Sequence, residues 1–246
     1  MPKDIHQDTL RLFDPNKHHF SVWVWLYDMD DPSGKIMPTE RPEPPKAVPL
    51  YYAVRGGFRW LVEDLAAAQG ADRRGGYYET PLFAAFAIDD AKSAKSLLQC
   101  NADVNVLNSD GVCVLHYASQ DGDSEFVSLL LNHKMDANLP DAEGQTPLVL
   151  SSADGHVKVC RLLVQAGADV GARDNNGRTP LCNALYFGHL DIVRYLINKK
   201  ADINSTDNRG WSPLQLAWSQ SHRDIVVLLL DHGTVFELRN ADENIP

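Results

Sequence analysis

Nine histidines and four cysteines could supply a metal site or an acid–base centre, so their spacing is the first thing to weigh. Zinc sites draw on two ligand pairs, each only a few residues apart. His18-His19 has no second pair at that spacing, and Cys113-x-x-His116 stands alone. His156, His189 and His222 recur every 33 residues, as a structural position does along a repeating chain. Asp28-x-Asp30-Asp31 starts like a calcium loop, but Pro32-Ser33-Gly34 breaks the ligand order and the closing glutamate is missing. There is no G-x-S-x-G, no H-E-x-x-H and no G-x-G-x-x-G, and Gly34-Lys35 is followed by Ile36 without the upstream glycine of a phosphate loop. The expectation is a protein that is not an enzyme, with no catalytic residue, cofactor or metal. The competing enzyme class would need scattered Ser, His and Asp converging on a pocket, since triads are set by geometry and not by sequence order.

The elements that would position such side chains are clearest over Asp174 to Asn204. Thr179 is a good N-cap and Pro180 suits the first helical position, where a missing N–H is harmless. Gly188 can take the left-handed conformation that stops this helix, and Ile192, Val193, Leu196 and Ile197 then follow the spacing of a second amphipathic helix. Stepping by 33 residues, the same register returns at Pro81, Val114, Pro147 and Pro213, each followed by a leucine. Helices this short are marginal alone, so each repeat must be stabilised by burial against its neighbours.

This pattern resembles the ankyrin-repeat family, whose unit is a turn and two helices with a T-P-L-H-x-A signature. The best copies are GQTPLVLSSADGHVKVCRLLVQAGADV and GRTPLCNALYFGHLDIVRYLINKKADIN. The signature histidine survives as His116, with Phe83, Val149, Cys182 and Gln215 in its place elsewhere. A sixth copy, VPLYYAVRGGFRWLVEDLAAAQGAD, puts Pro49 32 residues before Pro81 and matches the turn glycine at Gly57. The resemblance implies an all-α ankyrin-repeat solenoid of helix-turn-helix repeats with short hairpin loops. It also implies that His156, His189 and His222 are structural, and that Asn105, Asn138 and Asn204 cap the hairpin turns. Asp89 and Asn101, and then Lys134 and Lys200, occupy slots where the family has glycine; Asp and Asn tolerate the left-handed region, and each lysine would cost about 1–2 kcal/mol if it keeps that conformation.

The expected domain plan is an aromatic cap segment and proline-rich linker over 1–47, the array over 48–240 and a tail over 241–246. The segment His18 to Tyr27, with Trp23 and Trp25, reads either as a cap hiding the first repeat or as an exposed anchor for another protein. Val235, Phe236 and Leu238 read as a C-terminal cap. LFDPNKHHFSVWVWLYDMD followed by PLYYAVRGGF resembles the segment that introduces the array in fungal NACHT-ATPase ankyrin proteins, although the ATPase loop itself is missing here. With 23 basic against 33 acidic side chains the net charge is −10, which disfavours nucleic acid and anionic membrane as partners. No apolar run is long enough to span a bilayer, and the start lacks an apolar signal core. The four cysteines, lacking C-x-x-C, read as reduced and mostly buried, with Cys160 in the core register of Val127, Val193 and Val226. The expectation is an intracellular monomer, cytoplasmic rather than nuclear.

The function implied is a scaffold that binds a protein partner, with a regulatory part derived from a NACHT-type ATPase signalling protein as the alternative. In the family, contacts lie late in the first helix and on the hairpins, lining a concave groove. Here those positions include Tyr78, Ile88, Gln120, Asp121, Asp154, Arg178, Tyr186, Phe187, Trp211 and Gln220. Tyr186, Phe187 and Trp211, rimmed by Arg178, Arg209 and Asp154, have the composition of an interface hot spot.

Overall fold

The computed structural model describes residues 49–72, 74, 78–108 and 111–234. The aromatic segment around Trp23, the proline-rich stretch up to residue 48, and Val235, Phe236 and Leu238 lie outside the described residues. The described residues form twelve helices and no strand, and they divide into two compact units between Asn108 and Ser109. The first unit holds α1 (Pro49–Arg55), α2 (Arg59–Gln69), α3 (Pro81–Ala87) and α4 (Ala91–Gln99). The second holds α5 (Val114–Gln120), α6 (Ser124–Asn132), α7 (Pro147–Ala153), α8 (Val157–Gln165), α9 (Pro180–Phe187), α10 (Leu190–Asn198), α11 (Pro213–Ser219) and α12 (Arg223–Asp231). The fold class is an all-α helical-repeat solenoid, and the worn first copy folds as the pair α1–α2 with Gly57 at φ 70°.

Each first helix begins where its cap residue dictates. The hydroxyls of Thr80, Thr146 and Thr179 accept from the N–H groups of Phe83, Val149 and Cys182 at 3.3–3.4 Å, with proline at the next position. Ser212 and Gln215 cap reciprocally, and in α5, which has no proline, Cys113 and His116 do the same. First helices stop at a left-handed residue, Gly122, Gly155 and Gly188 among them, with Asp89 (φ 54°) and Ser221 (φ 62°) in the same slot. Second helices stop likewise at Asn101, Lys134 and Lys200, at φ 61–66°. The sequence marks four of these five non-glycine corners as glycine slots, and both lysines do keep the left-handed conformation; Ser221 is the additional one.

The core comes from one register repeated. Val127, Cys160 and Val193, then Leu130, Leu163, Leu196 and Leu229 one turn on, are fully buried on the second helices, opposite Leu115, Leu148 and Leu181 of the first. Burying such a side chain contributes about 1.5–3 kcal/mol, which outweighs the poor intrinsic stability of seven-residue helices. In the second unit α5, α7, α9 and α11 pack in succession, with α6, α8, α10 and α12 alongside.

Neighbouring repeats of this unit are stitched at two heights. His156, His189 and His222 each direct Nε2 to a carbonyl of the preceding repeat, at Gln120 (2.7 Å), Ala153 (2.7 Å) and Tyr186 (3.0 Å). Their rings lie against Gly122, Gly155 and Gly188, where a Cβ at Gly155 would stand 2.7 Å from the His189 ring. At the hairpins Asn175 and Asn208 donate Nδ2 to Ala142 O and Asn175 O, both at 3.0 Å. The hairpin turns are capped differently from the expectation. Asp103, Asp136, Asp169 and Asp202 accept from the N–H two residues on, a spacing that a short carboxylate spans from the start of the turn. Asn138 instead links outward, donating to Gly167 O and accepting from Asp169 N.

Candidate functional site

The tightest constellation of predicted residues is built on α9 and the hairpin between α8 and α9 that leads into it. Asp174, buried, accepts on Oδ1 from the N–H groups of Asn176 (2.9 Å) and Arg178 (2.8 Å), with Gly177 left-handed between them, so the backbone of Arg178 is fixed at the foot of α9. Helix α9 runs to Phe187 before Gly188 stops it, and the Tyr186 carbonyl is held by His222 of the next repeat. Two aromatic side chains are thereby presented on a rigid last turn.

The Arg178 guanidinium lies 5.1 Å from the centroid of the Tyr186 ring, and Phe187 meets that ring edge-on at 5.1 Å and 85°. Phe187 also stacks on His189, with centroids 6.4 Å apart, yet remains 52% exposed. The buried Asp207 carboxylate is 3.8 Å from Arg178 Nε, too far for a hydrogen bond, and that Nε, itself shielded from solvent, has no hydrogen-bond partner. Arg178 is therefore oriented by a ring face and a nearby negative charge. Asp207 meanwhile uses Oδ1 to cap its own turn, accepting from Arg209 N and Trp211 N. The result is an apolar ring surface beside an oriented cation, a combination suited to gripping a polypeptide and not to moving protons.

The other predicted residues are placed as follows. Gln120 is exposed at the end of α5, and its carbonyl serves His156. Asp121, Asp154 and Gln220 are exposed C-caps of α5, α7 and α11. Trp211 is half-buried after its hairpin. Among the described residues no ring contact, hydrogen bond or ion pair joins Trp211, Arg209 or Asp154 to the Tyr186–Phe187 pair. In the first unit Ile88 is the half-buried C-cap of α3, while Tyr78 lies under the Arg55 guanidinium and donates its N–H to the Tyr51 hydroxyl, a packing duty. Trp218, at the end of α11, is the most open aromatic among the described residues of the second unit, at 65% exposure.

The groups with chemical potential are occupied structurally. His116 Nδ1 accepts from Cys113 N–H at 3.2 Å and faces its Sγ at 2.8 Å, while Nε2 points at Gln145 O. Burial lowers the His116 pKa and pushes the Cys113 thiol up to about 11, so this pair is neutral and unreactive near pH 7. Burial likewise raises the Cys160 pKa, and Ser151 and Ser152 satisfy its sulfur. All four cysteines are free thiols, three buried and Cys100 half-buried. Among the described residues no three His, Cys, Asp or Glu side chains are grouped to hold a metal ion. No helix there is long and apolar enough to cross a membrane.

The sequence pattern of the Ankyrin repeats (3 copies) family matches residues 82–174 and 167–240. The chain belongs to the ankyrin-repeat family. A 57-residue stretch is 40% identical to the Nuclear factor NF-kappa-B p105 subunit of Gallus gallus, covering 23% of this chain and only 6% of that relative. Ankyrin repeats are protein–protein interaction modules, and the family match spans the Tyr186–Phe187–Arg178 constellation. Sequence reasoning missed the inter-repeat histidine bonds of the array. Their signal is a histidine 34 residues after each turn glycine, at Gly122 and His156, Gly155 and His189, Gly188 and His222.

Proposed function

We propose that this ankyrin array is a scaffold without chemistry of its own, docking a protein partner against the ends of its first helices and its hairpins, centred on Arg178, Tyr186 and Phe187. The observation that carries the reading is Phe187, a large apolar side chain 52% exposed yet held edge-on to Tyr186 on a capped helix end. A rigid, exposed aromatic beside an arginine is what interface hot spots are made of, since little entropy is lost when a partner covers it. Gln120, Asp121, Asp154 and Gln220 would form the polar surround and Trp211 a further aromatic contact on the next hairpin, with Tyr78 and Ile88 the corresponding positions of the first unit. The partner is a protein and not a nucleic acid or membrane, in keeping with the net charge of −10.

The test is affinity capture from the cell of origin with the native chain and with Phe187→Ala and Arg178→Ala. Amide exchange then maps the captured partner on the array. A partner lost from both variants while their thermal melts stay unchanged, with protection over 178–188, supports the reading. Equal capture by all three, or protection elsewhere, overturns it.

A further inference from the structure

The outward side of α8 and α10 carries a second kind of surface. Lys158 and Arg161 on α8, and Arg194, Lys199 and Lys200 on or just beyond α10, are all exposed. These two helices hold a single carboxylate between them, Asp191. The ion pairs among the described residues are Arg59–Asp90, Arg74–Glu79 and Arg178–Asp207, so none of the five cations is neutralised. Cations in a chain of net charge −10 have ample acids to pair with, and five left unpaired on one face form a local positive field.

This face is also ordered. Arg161 and Arg194 are 33 residues apart and so occupy one register on adjacent repeats. The half-buried Tyr195 ring is engaged by cations from both repeats, with the Arg161 guanidinium 5.4 Å and Lys199 Nζ 5.7 Å from its centroid. Cation–ring contacts on a fixed ring remove rotamer freedom that a ligand would otherwise have to remove itself. An open depression lined by Ser128, Lys158, Arg161 and Leu162 adjoins the cluster, with Glu125 the one acid in its wall.

We propose that this outer face binds an acidic polypeptide segment, whose carboxylates pair with Arg161, Arg194 and Lys199. The surroundings set its length. Glu125 on α6 and Asp224 and Asp231 on α12 flank the cationic helices, so the positive field is confined to two repeats. A duplex carries one charge per about 1.7 Å of axis and would continue over those acids, whereas a short run of Asp or Glu can stop at the edge. The aromatic ring here, Tyr195, is half-buried and already engaged by two cations, which makes it a poor platform for stacking bases. This surface is carried by other helices than the Phe187 face, and the two stand or fall separately.

The experiment uses the full chain and three fluorescent probes: an eight-residue glutamate peptide, a serine peptide of equal length and a short DNA duplex, read by anisotropy at low and physiological salt. The glutamate peptide is expected to bind in preference to the serine peptide and to weaken with salt. Arg161→Glu combined with Arg194→Glu should lower its affinity about tenfold or more. Tyr195→Leu should weaken it about threefold by releasing both cations, and Phe187→Ala should leave it unchanged. If the double charge reversal does not fold, Arg161→Gln with Arg194→Gln takes its place, with a loss of about threefold expected. The proposal is overturned if glutamate and serine peptides bind alike, if the arginine variants bind as the native chain does, or if the duplex binds more tightly and is lost with the same variants.

Discussion

The two units fill one register differently, the residue that follows the first-helix stop. The first unit has Phe58 and Asp90 there and no histidine, whereas the second has one carboxylate, Asp123, and then His156, His189 and His222. Asp90 is buried, caps α4 by accepting from Ser93 N–H (3.2 Å) and Ser93 Oγ (2.7 Å), and receives Arg59 Nε of the preceding repeat at 2.9 Å. The histidines make no side-chain cap and reach back instead to a carbonyl over a glycine. The buried Asp90 carboxylate closes its own helix and is neutralised by Arg59, which ties its repeat to its neighbour through charge. The imidazole demands shape, so the preceding repeat can have no side chain at the turn. Other cross-repeat contacts are common to both units, as when Arg74 donates to Leu107 O and Arg173 to Thr206 O.

Substituting the turn glycines should give the largest separation. Gly57→Ala in the first unit meets nothing within 4 Å, so its cost is the left-handed strain alone, about 1–2 kcal/mol. Gly155→Ala has φ +84° and in addition drives a Cβ into His189, which loses its bond to Ala153 O; about 2–3 kcal/mol is expected. Urea unfolding of both variants measures the difference, and equal losses would break the comparison.

Acid should weaken the units in a set order. His116 has its pKa lowered below 6.5 by burial, so the unfolded chain takes up this proton first; the contribution is complete above about 6.5 and is lost as pH falls through the folded value. For Asp90, burial raises the pKa, but hydrogen bonds from Arg59 and Ser93 prevail and leave it below 3.8. Its contribution persists to about pH 3.8 and is lost only below that. Amide exchange followed down the pH scale should show the second unit loosening before the first, and His116→Gln should reduce that early loss. Simultaneous loosening in both native and variant protein would contradict the assignment.

Smaller effects sharpen the contrast further. Lys200→Gly relieves a left-handed lysine at φ 66° and should add about 1 kcal/mol, whereas Asn101→Gly in the first unit should add less, because asparagine tolerates that region. Raising salt should cost the first unit a few tenths of a kcal/mol through Arg59–Asp90, whose arginine side chain is 55% exposed, and leave the histidine–carbonyl bonds untouched. Thermal melts resolve the first of these and salt-dependent exchange the second.

The helix starts, the stops and the core register were legible because each depends on local chemistry: a threonine followed by proline, a residue that accepts positive φ, and leucines at helical spacing. Ser221 escaped because serine carries no strong signal for the left-handed region. The hairpin caps were legible as polar positions but fell to the wrong partner, Asn instead of the Asp two residues earlier, since both types form such turns. Within the candidate site, Tyr186, Phe187 and Arg178 share one helix end and its hairpin and so come together, as spacing implies. Trp211 belongs to the next repeat, and distance between repeats is a tertiary quantity that no local pattern encodes. The cationic face of α8 and α10 was hidden behind the overall acidity, which averages over surfaces.

Phe187 is rigidly displayed, while the histidine–glycine stitching and the leucine core hold the repeats together. Equilibrium unfolding of Phe187→Ala against Leu185→Ala, neighbours on the same helix turn, tests this without any partner. Leu185 is fully buried and its truncation should cost about 2–5 kcal/mol, while Phe187→Ala should cost less than about 1 kcal/mol. A loss for Phe187→Ala matching that of Leu185→Ala would make the aromatic part of the core and contradict the docking face.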